Sequence, residues 1–216
     1  MTGDDRASDD VVLQHHFADT DQQRAANRMG MWIFLGTELM LFGGIFLGFL
    51  TYRVMHPHGF ETAASHTDLL IGTVNTAVLL TSSLTVAIAV AAARLRDRRT
   101  GLAALGATLA LGAVFLMLKG YEYYKEYAEG LIPGAGKAFP LEQEGTMLFW
   151  NLYFAATGLH AFHLTVALCL VIWMMLLWTR GTTDRVPEGT EAVGLYWHLV
   201  DVIWVWLYPL IYLAGR

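Results

Sequence analysis

The chain has 216 residues, of which 55% are hydrophobic and 15% are charged, and its formal net charge is -5. A soluble domain of this length would carry more charge and shorter apolar runs, and the acidic net charge does not indicate nucleic-acid binding. The single cysteine, Cys169, excludes a disulfide framework and a cysteine-based metal site, and its place inside an apolar run predicts a small packing residue. Apolar runs of about 20 residues indicate an all-α integral membrane protein, because a helix satisfies its own backbone hydrogen bonds in lipid.

The first 27 residues are polar and rich in aspartate, and they contain no apolar run of the kind found in a secretory signal peptide. We interpret residues 1–27 as a mobile acidic tail with a short surface helix around Val11–Phe17. Residues 28–216 are predicted to form one membrane domain of five helices.

Five apolar spans follow in order: about Met29–Tyr52, Leu69–Ala93, Leu102–Tyr124, Thr146–Trp178 and Gly194–Leu213. The first connection contains three histidines, and the connection before Gly145 contains the turn residues Pro133 and Gly134, so both are predicted to be loops. The fourth span exceeds about 25 residues, which implies tilt or protrusion from the bilayer. Pro209 predicts a kink in the last span.

The basic residues predict the orientation. Nine of the 14 lysines and arginines lie on the side of the N-terminus. Four of them crowd into the short connection after the second span: Arg94, Arg96, Arg98 and Arg99. Because basic residues accumulate on the cytoplasmic side, we expect a cytoplasmic N-terminus and a periplasmic C-terminus.

Six ionisable residues lie inside the predicted spans, where such groups are costly and therefore functional candidates. They are Glu38, Glu122, His160, His163, His198 and Asp201. We expect His163 to pair with Glu38, and His198 to pair with Asp201. Glu122 is predicted to lie near the interface, partly hydrated and within ion-pair reach of Lys125.

Four interpretations of this set remain open from the residues alone. A protein-bound metal lacks the Glu-x-x-His motif of helical carboxylate sites. Two histidines of the fourth and fifth spans are candidates for haem ligation, and Glu38, Glu122 and Asp201 are candidates for a proton or solute path. We favour the fourth, in which these groups bond one another and fix the packing of the bundle. The aromatic bands, including Trp32 and Trp197, are predicted to be lipid-facing anchors and packing residues.

Five motifs occur in a fixed order along the chain. They are Gly30-Met31-Trp32 followed by Thr37-Glu38, the run Asn75–Ser83, Lys119–Tyr123, Thr157–His163 with its Gly-x-His-x-x-His pattern, and Tyr196–Trp204 with Tyr-Trp-His-Leu-Val-Asp. Together they resemble subunit III of the heme–copper respiratory oxidases over about Arg28 to Gly215. The resemblance is to a short five-helix form that lacks the first two helices of the longer members.

The resemblance implies that this chain carries no haem, copper or catalytic residue, and that haem and copper belong to subunits I and II. It implies packing against subunit I, bound phospholipid, and support of proton uptake and active-site durability. Contacts with lipid would be fewer here, or completed by another subunit, because the lipid cleft of longer members involves the two absent helices. The residues expected to make structural, lipid or subunit contacts are Glu38, Glu122, His160, His163, His198, Asp201, Trp32 and Trp197.

The sequence therefore predicts an accessory subunit of a proton-pumping terminal oxidase in the bacterial cytoplasmic membrane, with a respiratory supercomplex as a further partner. Cytochrome c is favoured as the electron donor because Lys119-Gly120-Tyr121-Glu122-Tyr123 is similar to the Lys-Gly-x-Glu-Tyr of that branch. A quinol oxidase subunit III and an accessory protein of nitric oxide reductase are the alternatives. A haem-binding electron carrier and a small transporter are alternatives of another class, although we find no internal repeat.

Overall fold

The computed structural model describes residues 20–134, 140–141, 144–180 and 186–213. Over these residues the chain is helical, without a strand. Six α-helices are present: α1 (Thr20–Met55), α2 (Pro57–Ser65), α3 (Leu69–Arg94), α4 (Arg98–Glu129), α5 (Thr146–Arg180) and α6 (Val186–Tyr208). A π-helical segment, Pro209–Leu213, extends α6. All of these except α2 supply the five spans that are long and apolar enough to cross a membrane, which confirms the predicted all-α architecture.

The helices extend past the predicted spans. Helix α1 begins at Thr20, inside the predicted tail, and α6 begins at Val186, in the connection between the fourth and fifth predicted spans. The 36 residues of α1 correspond to about 54 Å at ~1.5 Å per residue, against a hydrocarbon thickness of ~30 Å. Hydropathy reports only the part of a helix inside the hydrocarbon, so polar helix ends are missed. The predicted surface helix Val11–Phe17 lies outside the described residues.

Local chemistry sets several helix ends. Asp68 caps α3 by accepting a hydrogen bond from the backbone N–H of Ile71 at 3.3 Å. Asp97 caps α4 and accepts from the backbone N–H groups of Arg99 and Thr100. The hydrogen bonds from Thr100, first from its hydroxyl and then from its backbone, lower the pKa of Asp97 below its ordinary value. Gly130 ends α4 with φ 78°, a left-handed conformation that glycine adopts without a Cβ clash.

One of the two connections that the sequence predicts to be loops is largely helical, and the last span continues past its proline. The histidine-containing connection folds largely into α2, which starts with Pro57 at a position where its missing N–H costs nothing. Pro209 does not end the last span, which continues as a π-helix through Leu213. Proline removes one hydrogen bond to the preceding turn, and here the hydrogen-bonding ladder widens at that residue.

Helices α3, α4, α5 and α6 form a closed ring of neighbours in which α3 contacts α4 and α6, and α5 contacts the same two helices. Helix α1 lies outside this ring against α5 and α6. It is the least buried of the five spans, with 17% of its apolar window inside the bundle. Polar side chains on the facing surfaces of α3–α6 are therefore shielded from lipid, whereas much of α1 is not.

Glycine allows the closest helix contacts in the ring. A Cβ atom built on Gly112 of α4 would lie 2.9 Å from the Trp197 indole of α6, and one on Gly101 would overlap the indole of Trp178. Small residues at such crossings let membrane helices approach closely. Cys169, which the sequence predicts to be a small packing residue, is exposed on α5 and does not lie inside the bundle.

Candidate functional site

The predicted pair between Glu38 of α1 and His163 of α5 is present. His163 Nε2 lies 2.8 Å from Glu38 Oε2, and His163 Nδ1 lies 2.8 Å from the carbonyl oxygen of Leu159. A carbonyl oxygen only accepts, so Nδ1 carries a hydrogen, and the imidazole and carboxyl share one further proton between Nε2 and Oε2. The His163 side chain is 8% exposed and the Glu38 side chain is 16% exposed. This contact fastens α1 to the ring of helices.

The predicted pair between His198 and Asp201 is wrong. His198 Nδ1 lies 2.8 Å from the hydroxyl of Ser83 on α3. Asp201 faces the same serine, but neither of its carboxyl oxygens has a hydrogen-bond partner among the described residues. Positions three apart on a helix point in directions that differ by roughly 60°. This rotation leaves His198 half-buried against α3 and turns Asp201 into the bundle.

His160 is fully buried in the middle of α5. Its ring packs edge-on against Phe115 and at 5.0 Å from the centre of the Trp204 ring. Neither ring nitrogen has a hydrogen-bond partner within the described part of the chain. Among the same residues, no three His, Cys, Asp or Glu side chains converge as metal ligands would. Its surroundings are thus those of a packed aromatic side chain.

Glu122 belongs to a buried polar cluster, and the prediction that it is partly hydrated near the interface is wrong. Its side chain is 2% exposed. The cluster, which we call the Lys119 cluster, comprises Lys119, Glu122, Glu126, Tyr153 and Tyr212. Tyr153 lies near the start of α5 and Tyr212 lies in the π-helical segment after α6, and both hydrogen-bond to the glutamates of α4. Helix α4 extends about two turns past Glu122, so this residue lies deeper than the end of the apolar run indicates.

Every donor and most acceptors of the Lys119 cluster are engaged. Lys119 Nζ donates to Glu122 Oε2 at 3.1 Å and to the hydroxyl oxygens of Tyr153 and Tyr212 at 3.0 Å. The Tyr212 hydroxyl donates to Glu122 Oε1 at 2.6 Å. The Tyr153 hydroxyl donates to Glu126 Oε1 at 2.6 Å and also lies 3.1 Å from Glu122 Oε1. Buried charge is tolerated when it is paired and hydrogen-bonded in this way.

Sequence reasoning missed Lys119, Glu126, Tyr153 and Tyr212 as site residues. A usable signal is present, because Lys119, Glu122 and Glu126 recur at spacings of three and four and so share one helix face. A charged face that continues into an apolar span predicts a polar contact with a neighbouring helix. Neither tyrosine carries such a signal, since tyrosine is also common at membrane interfaces.

Lys125 pairs with Asp68 at 3.0 Å, so its predicted ion pair with Glu122 is wrong. Lys125 and Glu122 stand three positions apart, but Glu122 faces the bundle and is bonded to Lys119. Burial raises the pKa of Asp68, yet hydrogen bonds from Lys125 and from the backbone N–H of Ile71 outweigh it, and the pKa is lower than usual. The pair joins the start of α3 to the far end of α4.

The two tryptophans predicted as contact residues differ in environment. Trp32 is 62% exposed on α1, as expected for a lipid-facing or subunit-facing anchor. Trp197 is fully buried, and its indole N–H donates to the hydroxyl of Ser82 at 3.1 Å. Trp204 is likewise buried and donates to Thr76 at 3.0 Å. Both buried residues connect α6 to α3, so Trp197 is a packing residue and not a lipid-facing anchor.

Comparisons with known proteins place the chain in a family. A family model described as Cytochrome c oxidase subunit III matches residues 7–216. The chain is 30% identical to the Cytochrome bo(3) ubiquinol oxidase subunit 3 of Pseudomonas aeruginosa, over 95% of this chain and 98% of the relative. It is 30% identical to a Probable quinol oxidase subunit 3 of Staphylococcus epidermidis and 29% identical to one of Staphylococcus haemolyticus. Each of these two alignments covers 88% of this chain and 89% of the relative.

Matched over nearly its whole length and built from five membrane-spanning helices, the chain belongs to the cytochrome c oxidase subunit III family, as an accessory subunit of a heme–copper terminal oxidase and a multi-pass protein of the bacterial inner membrane.

Proposed function

We propose that this chain is a non-catalytic subunit that stabilises a proton-pumping oxidase, with haem and copper held by subunits I and II. The observation that carries the proposal is that the chain's buried ionisable groups mostly bond to one another or to neighbouring helices. Glu38 bonds to His163, His198 to Ser83, and Glu122 to Lys119. Groups that are bonded in this way fix helix packing. They support a structural role more than one in bond making or breaking.

The surface of α1 supports a proposed contact with subunit I or with phospholipid. Its exposed side chains include Ile33, Leu39, Met40 and Leu47. Cβ atoms built on Gly36, Gly43, Gly44 and Gly48 would meet open space. Small residues beside large apolar ones suit close packing of a further membrane helix or an acyl chain. We propose that this face is covered in the assembled complex.

For the electron donor we propose a quinol, because the relatives in Pseudomonas aeruginosa and Staphylococcus epidermidis carry the names ubiquinol oxidase and quinol oxidase. Cytochrome c is the second candidate, favoured by the Lys119–Tyr123 motif and by the family description. Oxygen consumption by the purified complex distinguishes them. Rapid turnover with a quinol and none with reduced cytochrome c would support the first donor, and the converse would support the second.

Removal of this subunit tests the stabilising role. We expect a complex without the chain to start at a near-normal rate of oxygen consumption and then to lose activity faster during turnover. The complex with the chain restored is the control. An initial rate that falls to zero on removal, with haem and copper retained, would instead indicate a catalytic contribution.

An absorption spectrum of the chain purified alone tests the haem-carrier alternative. We expect no Soret band, because the proposed role places haem in another subunit. A band that survives mild denaturation and disappears in His160→Ala or His198→Ala would contradict the proposal.

A further inference from the structure

The Lys119 cluster contains one lysine and two carboxyl groups in a fully shielded space. The side chains of Lys119, Glu122 and Glu126 are each no more than 4% exposed. If all three were ionised, the cluster would carry a net charge of about -1 that no neighbouring cation among the described residues balances. An uncompensated buried charge is among the most costly features a protein interior can contain. We therefore expect one of the two carboxyl groups to be protonated.

The hydrogen bonds distinguish the two carboxyl groups. Glu122 accepts from the Lys119 ammonium on Oε2 and from the Tyr212 hydroxyl on Oε1, so both oxygens are stabilised as a carboxylate. Glu126 accepts from the Tyr153 hydroxyl on Oε1, and its Oε2 has no partner among the described residues. Lys119 makes no direct hydrogen bond to Glu126, because its three donors are already used.

Titratable and charged groups from three elements face Glu126. They are Lys119, Glu122, Tyr123 and Glu129 of α4, Tyr153 of α5 and Tyr212 of the π-helical segment. Lys119 is the cation among them, and it is bonded to Glu122. Glu129 is exposed on the last turn of α4 and adds negative charge on the same side. These neighbours favour a neutral Glu126.

We propose that the Lys119 cluster is a proton-binding site in which Glu122 is ionised and Glu126 carries the proton on Oε2. The bond that forms and breaks is the O–H bond of the Glu126 carboxyl group, and the proton leaves to or arrives from water. Glu126 lies three residues before Glu129, about 4.5 Å from the last residue of α4 at ~1.5 Å per residue. The exchanging water is therefore on the side of the membrane where α4 ends.

The site links a proton to helix packing. Tyr153 and Tyr212 bond to the cluster from α5 and from the end of α6. Loss of the Glu126 proton would leave the cluster with an excess negative charge, and its hydrogen bonds with both tyrosines would rearrange. The three helix ends are thus joined most tightly while Glu126 is protonated.

Infrared spectroscopy of the full chain in lipid nanodiscs at neutral pH tests this proposal through the carbonyl stretching band of protonated carboxyl groups. We expect Glu126→Gln to remove the intensity of one carboxyl group. Glu122→Gln should remove it as well, because Lys119 would then neutralise an ionised Glu126. Lys119→Gln should add the intensity of one carboxyl group, because both glutamates would then be neutral. Glu61→Gln, at an exposed position of α2 that does not face the cluster, is the matched control and should leave the band unchanged.

Two outcomes would overturn the proposal: a band unchanged by Glu126→Gln, or a band that persists at full intensity in Glu122→Gln. Transfer of the wild-type chain into D2O adds a measurement without substitution. The Glu126 band should shift, and a band that does not shift would contradict exchange with water. If Glu126→Gln fails to fold, Glu126→Asp keeps the carboxyl group and should show the band at a changed frequency, whereas its complete absence would contradict the assignment.

Discussion

Glu38 Oε2 and His163 Nε2 lie 2.8 Å apart and connect α1, the least buried membrane helix, to α5. The interaction bridges 125 positions in the sequence. The hydrogen bond between His163 Nδ1 and the Leu159 carbonyl oxygen lies within α5, so it orients the ring without any contribution from Glu38. The contact is thus a defined attachment point for α1.

Replacement of Glu38 tests this attachment. We expect Glu38→Gln to assemble nearly normally, since glutamine keeps the size and a hydrogen bond, whereas Glu38→Leu leaves His163 Nε2 without its partner at a cost of ~1–3 kcal/mol. Thermal unfolding and co-purification with the catalytic subunit measure the difference. Equal co-purification of the leucine variant and the wild type would contradict the role of this contact.

Removal of the Tyr153 hydroxyl should destabilise the Lys119 cluster. Tyr153→Phe deletes the donor to Glu126 and an acceptor of Lys119, so we expect a loss of ~1–3 kcal/mol in the free energy of unfolding. Tyr124→Phe is the matched control, because Tyr124 is 68% exposed. Denaturant titration in mild detergent reports both values. A similar effect of the two substitutions would show that the cluster contributes little.

A methyl group at Gly112 should disturb the contact between α4 and α6. The added Cβ would lie 2.8 Å from a Leu168 methyl group and 2.9 Å from the Trp197 indole, and overpacking of this kind costs ~1–3 kcal/mol. Gly120→Ala, also on α4, meets open space and should be neutral or stabilising, because alanine favours helix over glycine. Melting temperatures of the two variants provide the test. Equal values would mean that the crossing can relax.

The Asp68–Lys125 pair predicts a pH dependence of stability. The pKa of Asp68 in the folded chain lies below its ordinary value of 3.8. Its contribution is therefore fully present above the unfolded pKa and is lost as the pH falls through the lower folded value. Both side chains are about one-third exposed or more, so the effect is at most ~1 kcal/mol.

Unfolding measured across the acid range checks that sign. The slope of stability against pH below about pH 4 should be smaller in Asp68→Asn than in the wild type. Glu188→Gln, a surface substitution on the first turn of α6, serves as the comparison. A slope that stays the same in Asp68→Asn would remove Asp68 from the acid response.

Much of the architecture could be predicted because span positions depend on local composition. The five spans were placed correctly, and their polar ends were cut short, as at Thr20 and Val186. The Glu38–His163 contact was also predicted, since an acid and a histidine buried in separate helices need partners. Family membership followed from five ordered motifs. Domain limits and orientation of the termini stay predictions.

The side-chain partners inside the bundle were predicted less well. His198 was assigned to Asp201 and Lys125 to Glu122, each a neighbour along one helix. The structure pairs His198 with Ser83 and Lys125 with Asp68, each on another helix. Local spacing identifies residues that share a face but carries no information about the rotation of that face toward a neighbour.

The amino-acid sequence by itself determined that the chain spans a membrane five times, and which ionisable residues lie within those spans, because apolar length and helix periodicity are local properties. Only the tertiary structure decided which of these residues meet. The Lys119 cluster depends on three helix ends reaching the same level, and on two tyrosines more than 30 positions from Lys119 in the chain. These contacts are important for stability because, in the low dielectric of the bundle interior, a buried charge is costly unless its partner lies beside it.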